Sequence, residues 1–308
     1  MHTLQPERTS ARATVADQQA IDWTCFKPFT SHFLGVSTFD ASDTDQVRRY
    51  MDWDLFFRKW EFPLPFPDVL DDVHWGPPAR ALYTDARARL DELVGDNLRP
   101  EVVFGVWRAS ARGDQVLVET TGGTTVGLSF PRIQVSDSRS YCVADFIKPA
   151  MALRVGESDY LGGYALRLGT DVDRPAGQPA TGQHDYRSLL TADLCELYRS
   201  ALVDYLHYRL RRFIWAYCDD DDLSNEKVLT GTHQGIRVDV GGPECPGQTL
   251  QAQLLKQLGV DAWEDAGAFH LPGDRPSRVS SGFFLAHPQS RNLLSPFTGA
   301  DRTPCLCP

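Results

Sequence analysis

The chain has 308 residues, and 42% of them are hydrophobic, which is enough to bury a sizeable core. With 31 lysines and arginines against 41 aspartates and glutamates, the net charge is -10, and we expect no nucleic-acid partner. No stretch reaches the roughly 20 apolar residues that span a bilayer, and the start lacks the apolar core of a signal peptide. We therefore expect a cytoplasmic protein without membrane contact.

The seven cysteines are scattered and odd in number, which favours reduced thiols over a disulfide framework. Only Cys305 and Cys307 lie close together, and no second pair of Cys or His stands at the spacing of a zinc site. We therefore predict that the protein binds no metal.

The first part of the chain predicts helices followed by strands. Residues 1–20 are polar and predict a loose N-terminal segment. Aromatic side chains at helix-like spacings predict a helix over residues 47–60, and a second helix is expected over residues 78–94. The stretch "PEVVFGVWRASARGDQVLVET" predicts two strands joined by an Arg-Gly-Asp turn, and "SDYLGGYALRLGT" predicts another strand.

The second part begins with "TDVDRPAGQPATGQHDY", whose proline, glycine and glutamine content predicts a surface loop within the domain. A long amphipathic helix is expected up to Ile214, followed by the acidic turn of residues 219–222 and a short helix at "LSNE". A further helix over residues 248–260 and a strand and turn over residues 278–290 complete the prediction. Without regular strand-helix-strand alternation, the pattern indicates a single α+β domain.

Three stretches, "YMDWDLFFRKWE", "YCVADFIKPAMALRVGESDYLGGYAL" and "DYLHYRLRRFIWAYCDDDDLSNEKVLTGTHQGIRVDVGGPECP", resemble the activation domain of cobalamin-dependent methionine synthase. The resemblance implies a single curved α+β domain over residues 21–295, with a mixed or antiparallel sheet and flanking helices, and a C-terminal tail over residues 296–308. It also implies that S-adenosylmethionine lies in a shallow groove. In this family resemblance, S-adenosylmethionine would be bound by the aspartate of the "DW" motif, Asp52, and by the arginine of an R-x-x-x-G-Y-P-x-C-P motif, Arg237.

The chemistry of these residue types agrees with that role. An arginine fork matches a carboxylate with two charge-assisted bonds, and an aspartate pairs with an α-ammonium. Paired glycines let a ligand approach the backbone closely. Without the family context, a surface ion pair is the alternative explanation of a lone Arg or Asp. The full predicted binding set is Asp52, Arg237, Val238, Gly241, Gly242, Pro243 and Asn292.

The sequence also departs from the family motif. Gly242 and Asn292 stand where the family has tyrosines, and Gly231 stands where it has a glutamate. The partners expected for the amino and carboxylate ends of the ligand are therefore kept, whereas groups that would frame its sulfonium, ribose and methyl are altered.

These departures lead to three functional hypotheses. The first prediction is a lyase without pyridoxal phosphate or metal, which closes the aminocarboxypropyl arm of S-adenosylmethionine to 1-aminocyclopropane-1-carboxylate and releases methylthioadenosine. His233 or Tyr50 is the candidate base. One alternative is reactivation of a separate cobalamin protein in trans by reductive methylation, and the other is a protein that binds S-adenosylmethionine without turnover.

Overall fold

The computed structural model describes most of the chain between residues 21 and 288. The described residues are 21, 23–24, 26–136, 139–170, 186–218, 234–243, 245–263 and 279–288. Their helices are α1 (Thr44–Arg48), α2 (Trp53–Lys59), α3 (Gly76–Glu92), α4 (Tyr186–Arg209) and α5 (Gln248–Gln257). Their strands are β1 (Gly35–Thr38), β2 (Leu98–Arg112), β3 (Gln115–Glu119), β4 (Thr125–Ser129), β5 (Ile133–Ser136), β6 (Arg139–Tyr141), β7 (Asp159–Thr170), β8 (Ile236–Asp239) and β9 (Val279–Leu285).

Seven of the described strands form one antiparallel sheet, in the order β4-β3-β2-β7-β9-β8, with β1 also paired to β2. The long central pair β2 and β7 runs in register from Leu98 opposite Thr170 to Ala109 opposite Asp159. A separate hairpin joins β5 to β6. The α+β class with an antiparallel sheet and flanking helices, predicted from the sequence, is confirmed.

Both faces of the sheet are covered, because successive side chains of each strand point to opposite sides. On β9, Phe284 packs with helices α1 to α4, whereas Phe283 and Leu285 pack with α5 and the short turn Val143–Phe146. The same alternation on β8 buries Val238 toward α5 and turns Arg237 toward α4. The functional candidate Arg237 therefore lies between an edge strand and the longest described helix.

The helix predicted over residues 47–60 is in fact two helices, α1 and α2. The carboxylate of Asp52 accepts a hydrogen bond from the backbone N–H of Leu55 at 2.8 Å and starts a new helix there. The prediction of one continuous helix is therefore wrong, and Tyr50 and Asp52 lie in the connection between α1 and α2.

The other described elements agree with the sequence prediction in type and approximate place. The short strands β1, β4, β5, β6 and β8 were not predicted. The predicted loose segment, the Pro- and Gly-rich loop, the acidic turn, the "LSNE" helix and the C-terminal tail lie outside the described residues wholly or in large part.

No described helix combines the length and the apolar character needed to cross a bilayer. In the same residues, no group of three or more His, Cys, Asp or Glu side chains is arranged to hold a metal ion.

Candidate functional site

Arg237 on β8 is held by two carboxylates of its own chain. Its Nε and Nη2 donate to the two oxygens of Asp239 at 2.8 and 2.7 Å, which makes a two-point fork. Its Nη1 donates to Asp204 Oδ1 on α4 at 2.8 Å, and longer contacts of 3.3 Å reach the backbone carbonyl and the hydroxyl of Ser200. All three guanidinium nitrogens are therefore engaged, and the residue joins the edge of the sheet to α4.

Tyr164 on β7 holds the other side of this ion-pair group. Its buried hydroxyl donates to Asp239 Oδ1 at 2.5 Å, although β9 lies between β7 and β8. Gly282 on β9 stands between the two residues in register, opposite both Tyr164 and Asp239. A Cβ at Gly282 would lie only 2.7 Å from the Tyr164 ring. The missing side chain therefore leaves the space through which the tyrosine reaches the carboxylate.

Burial and charge act against each other in this cluster, which we define as Ser200, Asp204, Arg237, Asp239 and Tyr164. Burial raises the pKa of Asp204, while the neighbouring guanidinium of Arg237 opposes that shift. Burial also acts to raise the pKa of Asp239, but the charge of Arg237 outweighs it and the pKa is lowered. Two carboxylates thus face one arginine, and the side chain of Arg237 remains 21% exposed. The cluster is an acidic surface with a guanidinium at its centre.

The connection between α1 and α2 carries both Tyr50 and Asp52, and it brings Tyr50 against α4. The ring of Tyr50 packs against Tyr205 and Tyr208 of α4, at centroid distances of 5.8 and 6.1 Å. Burial raises the pKa of Tyr50, and the nearby carboxylate of Asp204 adds to that shift. Asp52 is partly exposed and uses Oδ1 to cap α2. The structure thus places Tyr50 near Asp204, while Asp52 follows two residues later.

The glycine loop after β8 forms a tight turn with its backbone at the surface. Gly241, at φ +89°, donates from its N–H to the Cys245 carbonyl at 2.9 Å, and Cys245 donates to the Gly242 carbonyl at 3.2 Å. Gly241 and Pro243 are exposed, and Gly242 is half-buried. The predicted binding residues of this loop therefore lie at the surface, directly after Arg237 and Asp239.

The remaining predicted site residues divide into two groups. The side chain of Val238 is fully buried on the face of the sheet opposite to Arg237. His233 and Asn292 lie outside the described residues.

Sequence reasoning missed the partners of Arg237. One signal was available, since residues two apart on a strand share a face, which puts Asp239 beside Arg237. Asp204 and Tyr164 are brought in by long-range packing that the sequence pattern alone does not give.

Comparisons with known proteins agree on one family. The model of the family described as "Vitamin B12 dependent methionine synthase, activation domain" matches residues 43–295. A crystal structure of the MetH reactivation domain bound to AdoHcy is similar to this chain with a TM-score of 0.74 and 30% sequence identity. The match covers 91% of this chain and 85% of that one.

These comparisons overturn the prediction of a lyase that makes 1-aminocyclopropane-1-carboxylate. Both matches are to activation or reactivation domains of methionine synthase, and neither is described as a lyase. The role of base for His233 or Tyr50 belonged to that hypothesis and falls with it. The chain belongs to the family of the activation domain of vitamin B12-dependent methionine synthase.

Proposed function

We propose that this protein binds S-adenosylmethionine beside the Arg237 cluster and supplies its methyl group, in trans, to a reduced cobalamin held by a separate protein. The observation that carries the proposal is the pair of carboxylates, Asp204 and Asp239, around one partly exposed guanidinium. Similarity to a domain whose structure holds AdoHcy, the product left when S-adenosylmethionine gives up its methyl group, supports the same ligand class.

The charge of the ligand fits the acidic surface. S-adenosylmethionine carries a permanent sulfonium and an α-ammonium against a single carboxylate, so its net charge is positive. Asp204 accepts a hydrogen bond from Arg237, and its charge also acts on Tyr50, which lies two residues before Asp52 in the connection between α1 and α2. In this proposal the ammonium and the sulfonium lie toward Asp204 and Asp52, where opposite charges a few ångströms apart attract strongly because the site is partly closed to water.

The glycine loop suits the adenosine part of the ligand. Gly241 and Gly242 carry no side chains, and their backbone lies at the surface directly after the cluster. A planar base can therefore approach the main chain without displacing a side chain. Gly241, Gly242 and Pro243 remain predicted contacts on this reasoning.

The reaction needs one electron from outside the protein. When the partner's cobalamin is in its inactive Co(II) state, an external one-electron donor must first reduce it. The sulfonium then loses its methyl group to the reduced cobalt, which supplies the bonding electron pair, and AdoHcy is left behind. The residues of this chain bind and orient the ligand, so that the methyl group points away from the cluster toward the partner.

The test measures methyl transfer between two proteins. The purified chain is mixed with a cobalamin-binding protein in the Co(II) state, a one-electron donor and S-adenosylmethionine with an isotopic label in its methyl group. We expect labelled methyl on the cobalamin and an equal amount of AdoHcy, both dependent on this chain. Asp204→Asn should slow the transfer, and Glu196→Gln, which removes an exposed carboxylate from the same helix, should not.

Two results would contradict the proposal in different ways. If calorimetry detects no binding of S-adenosylmethionine, the ligand is wrong. If the ligand binds but no label reaches the cobalamin, the protein is a binder without this transfer, which was the third hypothesis from the sequence.

A further inference from the structure

The carboxylate of Asp239 occupies the face of Arg237 that fits a ligand carboxylate. Two bonds, from Nε and Nη2 to the two oxygens of Asp239 at 2.8 and 2.7 Å, make the two-point arrangement in which a guanidinium and a carboxylate pair most strongly. The remaining nitrogen, Nη1, donates to Asp204 and to the backbone carbonyl of Ser200. A carboxylate that arrives from outside can therefore form the two-point pair only where Asp239 now lies.

Of the two carboxylates on Arg237, Asp239 is the one with room to move. Its side chain is 45% exposed, against 21% for Asp204. Asp239 is the last residue of β8, and its backbone carbonyl accepts a hydrogen bond from the Gly242 N–H at 3.3 Å, so it stands where the edge strand passes into the glycine loop. Asp204 lies inside α4, where the helical hydrogen bonds fix the backbone. Rotation of the Asp239 side chain alone therefore opens the fork of Arg237.

Tyr164 holds Asp239 against the arginine. Its hydroxyl donates to Oδ1 of Asp239 at 2.5 Å, and the same oxygen accepts the bond from Nε of Arg237. The tyrosine is buried, and its ring packs on Phe284 at a centroid distance of 5.1 Å, so the hydroxyl is a donor in a fixed place. The bond from Tyr164 therefore opposes the rotation of Asp239 away from the guanidinium.

We propose that Asp239 competes with the α-carboxylate of the ligand for Arg237, and thereby sets how strongly the site distinguishes ligands with this carboxylate from ligands without it. This inference rests on the proposed binding of S-adenosylmethionine. On binding, the carboxylate of the ligand takes the bonds from Nε and Nη2, and Asp239 turns toward solvent. One charged pair replaces another, so the ligand carboxylate adds little to the affinity of the wild type.

The two carboxylates on Arg237 should consequently affect binding in opposite ways. Asp204 attracts the cationic groups of the ligand and leaves the fork of the arginine untouched. Asp239 occupies that fork, and an asparagine in its place offers one acceptor oxygen and no charge. Asp239→Asn should therefore strengthen the binding of a ligand carboxylate, whereas Asp204→Asn should weaken binding of any cationic ligand.

The experiment compares two ligands on matched variants. Calorimetry gives the affinities of S-adenosylmethionine and of its decarboxylated analogue, which has hydrogen in place of the α-carboxylate. Relative to the wild type, Asp239→Asn should shift the ratio of the two affinities toward S-adenosylmethionine by about tenfold, the effect of one charged hydrogen-bonded contact. Asp204→Asn is the control, because it removes the other carboxylate from the same arginine and should keep the ratio within about twofold.

Tyr164→Phe provides a second variant that leaves both charges in place. Without the hydroxyl, Asp239 is held less firmly, and the ratio should shift in the same direction by about threefold, as for the loss of one uncharged donor. Thermal unfolding of each variant establishes that it is folded at the temperature of the titration. If Asp239→Asn is not folded there, the ratio for Tyr164→Phe decides the question.

The outcomes separate this inference from the proposed function. An unchanged ratio in Asp239→Asn and in Tyr164→Phe would overturn the inference, and so would an equal shift in Asp204→Asn, which would assign the effect to net charge. Weaker binding of both ligands by Asp239→Asn at a constant ratio would make Asp239 a structural residue. If the wild type binds neither ligand, the proposed function fails as well.

Discussion

The hydroxyl of Tyr164 donates to Asp239 at 2.5 Å across an intervening strand, and Asp239 in turn accepts two hydrogen bonds from Arg237. A neutral donor, a carboxylate and a guanidinium therefore form one continuous network. Removing any member changes the surroundings of the next one. The network fixes the direction of the Arg237 side chain before any ligand arrives.

Tyr164→Phe and Asp239→Asn should each destabilise the protein, and their effects should not add. Loss of the Tyr164 hydroxyl removes a bond to a charged acceptor and should lower the free energy of unfolding by about 1–2 kcal/mol. In the double variant the two losses overlap, because the shared bond can be removed only once. Urea unfolding of the two single variants and the double variant measures this coupling. Additive losses would show that the 2.5 Å bond does not couple the residues in solution.

Asp204→Asn should reduce the preference of the protein for S-adenosylmethionine over AdoHcy. The two ligands differ in the charge of the sulfur, and the neutral amide no longer attracts the sulfonium. We expect the ratio of the two affinities to fall by about three- to tenfold, as for the loss of one partly screened charge contact. Calorimetry with both ligands gives the ratio, and Glu196→Gln is the control on the same helix. An unchanged ratio would place the sulfonium away from Asp204.

Gly282→Ala should disturb the cluster through Tyr164. The added methyl group would come within 2.7 Å of the tyrosine ring and would also collide with the backbone carbonyl of Val238, so β8 and β9 must separate locally. We expect a loss of about 2 kcal/mol or more in the free energy of unfolding, as in overpacked cores, together with weaker ligand binding.

Gly95→Ala is the matched control for that substitution. A Cβ at Gly95 would meet no heavy atom within 4 Å, so stability should be unchanged or slightly higher. Chemical denaturation of both variants decides the matter. Equal stability of the two variants would mean that the space over Gly282 is not needed.

Asp159 should make stability depend on pH. Its carboxylate accepts backbone bonds from Lys148 and Tyr160 at 2.7 and 2.8 Å, and burial raises its pKa to about 7 from an ordinary value of 3.8. The folded state therefore binds the proton more tightly than the unfolded state. This contribution to stability is full below the ordinary pKa and is lost as the pH rises through about 7.

Asp159→Asn replaces the ionisable carboxyl group by a neutral amide and tests the prediction. Between pH 5 and pH 8 the wild type should lose about 1–3 kcal/mol more unfolding free energy than the variant does. Denaturant titrations of both proteins at the two pH values give this difference. The same pH dependence in both proteins would assign it to other groups.

The sequence predicted the fold class, and it indicated Arg237 as a candidate site residue, but it did not give the surroundings of that arginine. Hydrophobic periodicity was sufficient for α3, α4 and α5, because long amphipathic helices carry several turns of repeated pattern. The helix break before Trp53 was missed because the aromatic spacing continues through it, although α1 ends at Arg48 and Asp52 caps the start of α2. Short strands such as β8 carry too few residues for a recognisable alternation.

The partners at the site depend on tertiary packing. Asp204 could be placed on a predicted helix, but the sequence does not say which strand its face meets. The contact between Tyr164 and Asp239 needs the register of three strands and the absence of a side chain at Gly282.

Because β8 lies at the edge of the sheet formed by the described strands, the proposed ligand binding beside it is coupled to local opening of this strand. This strand is held to β9 by four residue pairs, Ile236–Asp239 with Gly282–Leu285, and no other described strand pairs with it. Sheet edges exchange their amide protons through small fluctuations that leave the central strands intact. A molecule that binds only the closed form must suppress those fluctuations in proportion to its own concentration over its dissociation constant. Under the proposed function, the hydrogen-exchange rate of the β8 amides therefore reports the fraction of the protein that has ligand bound.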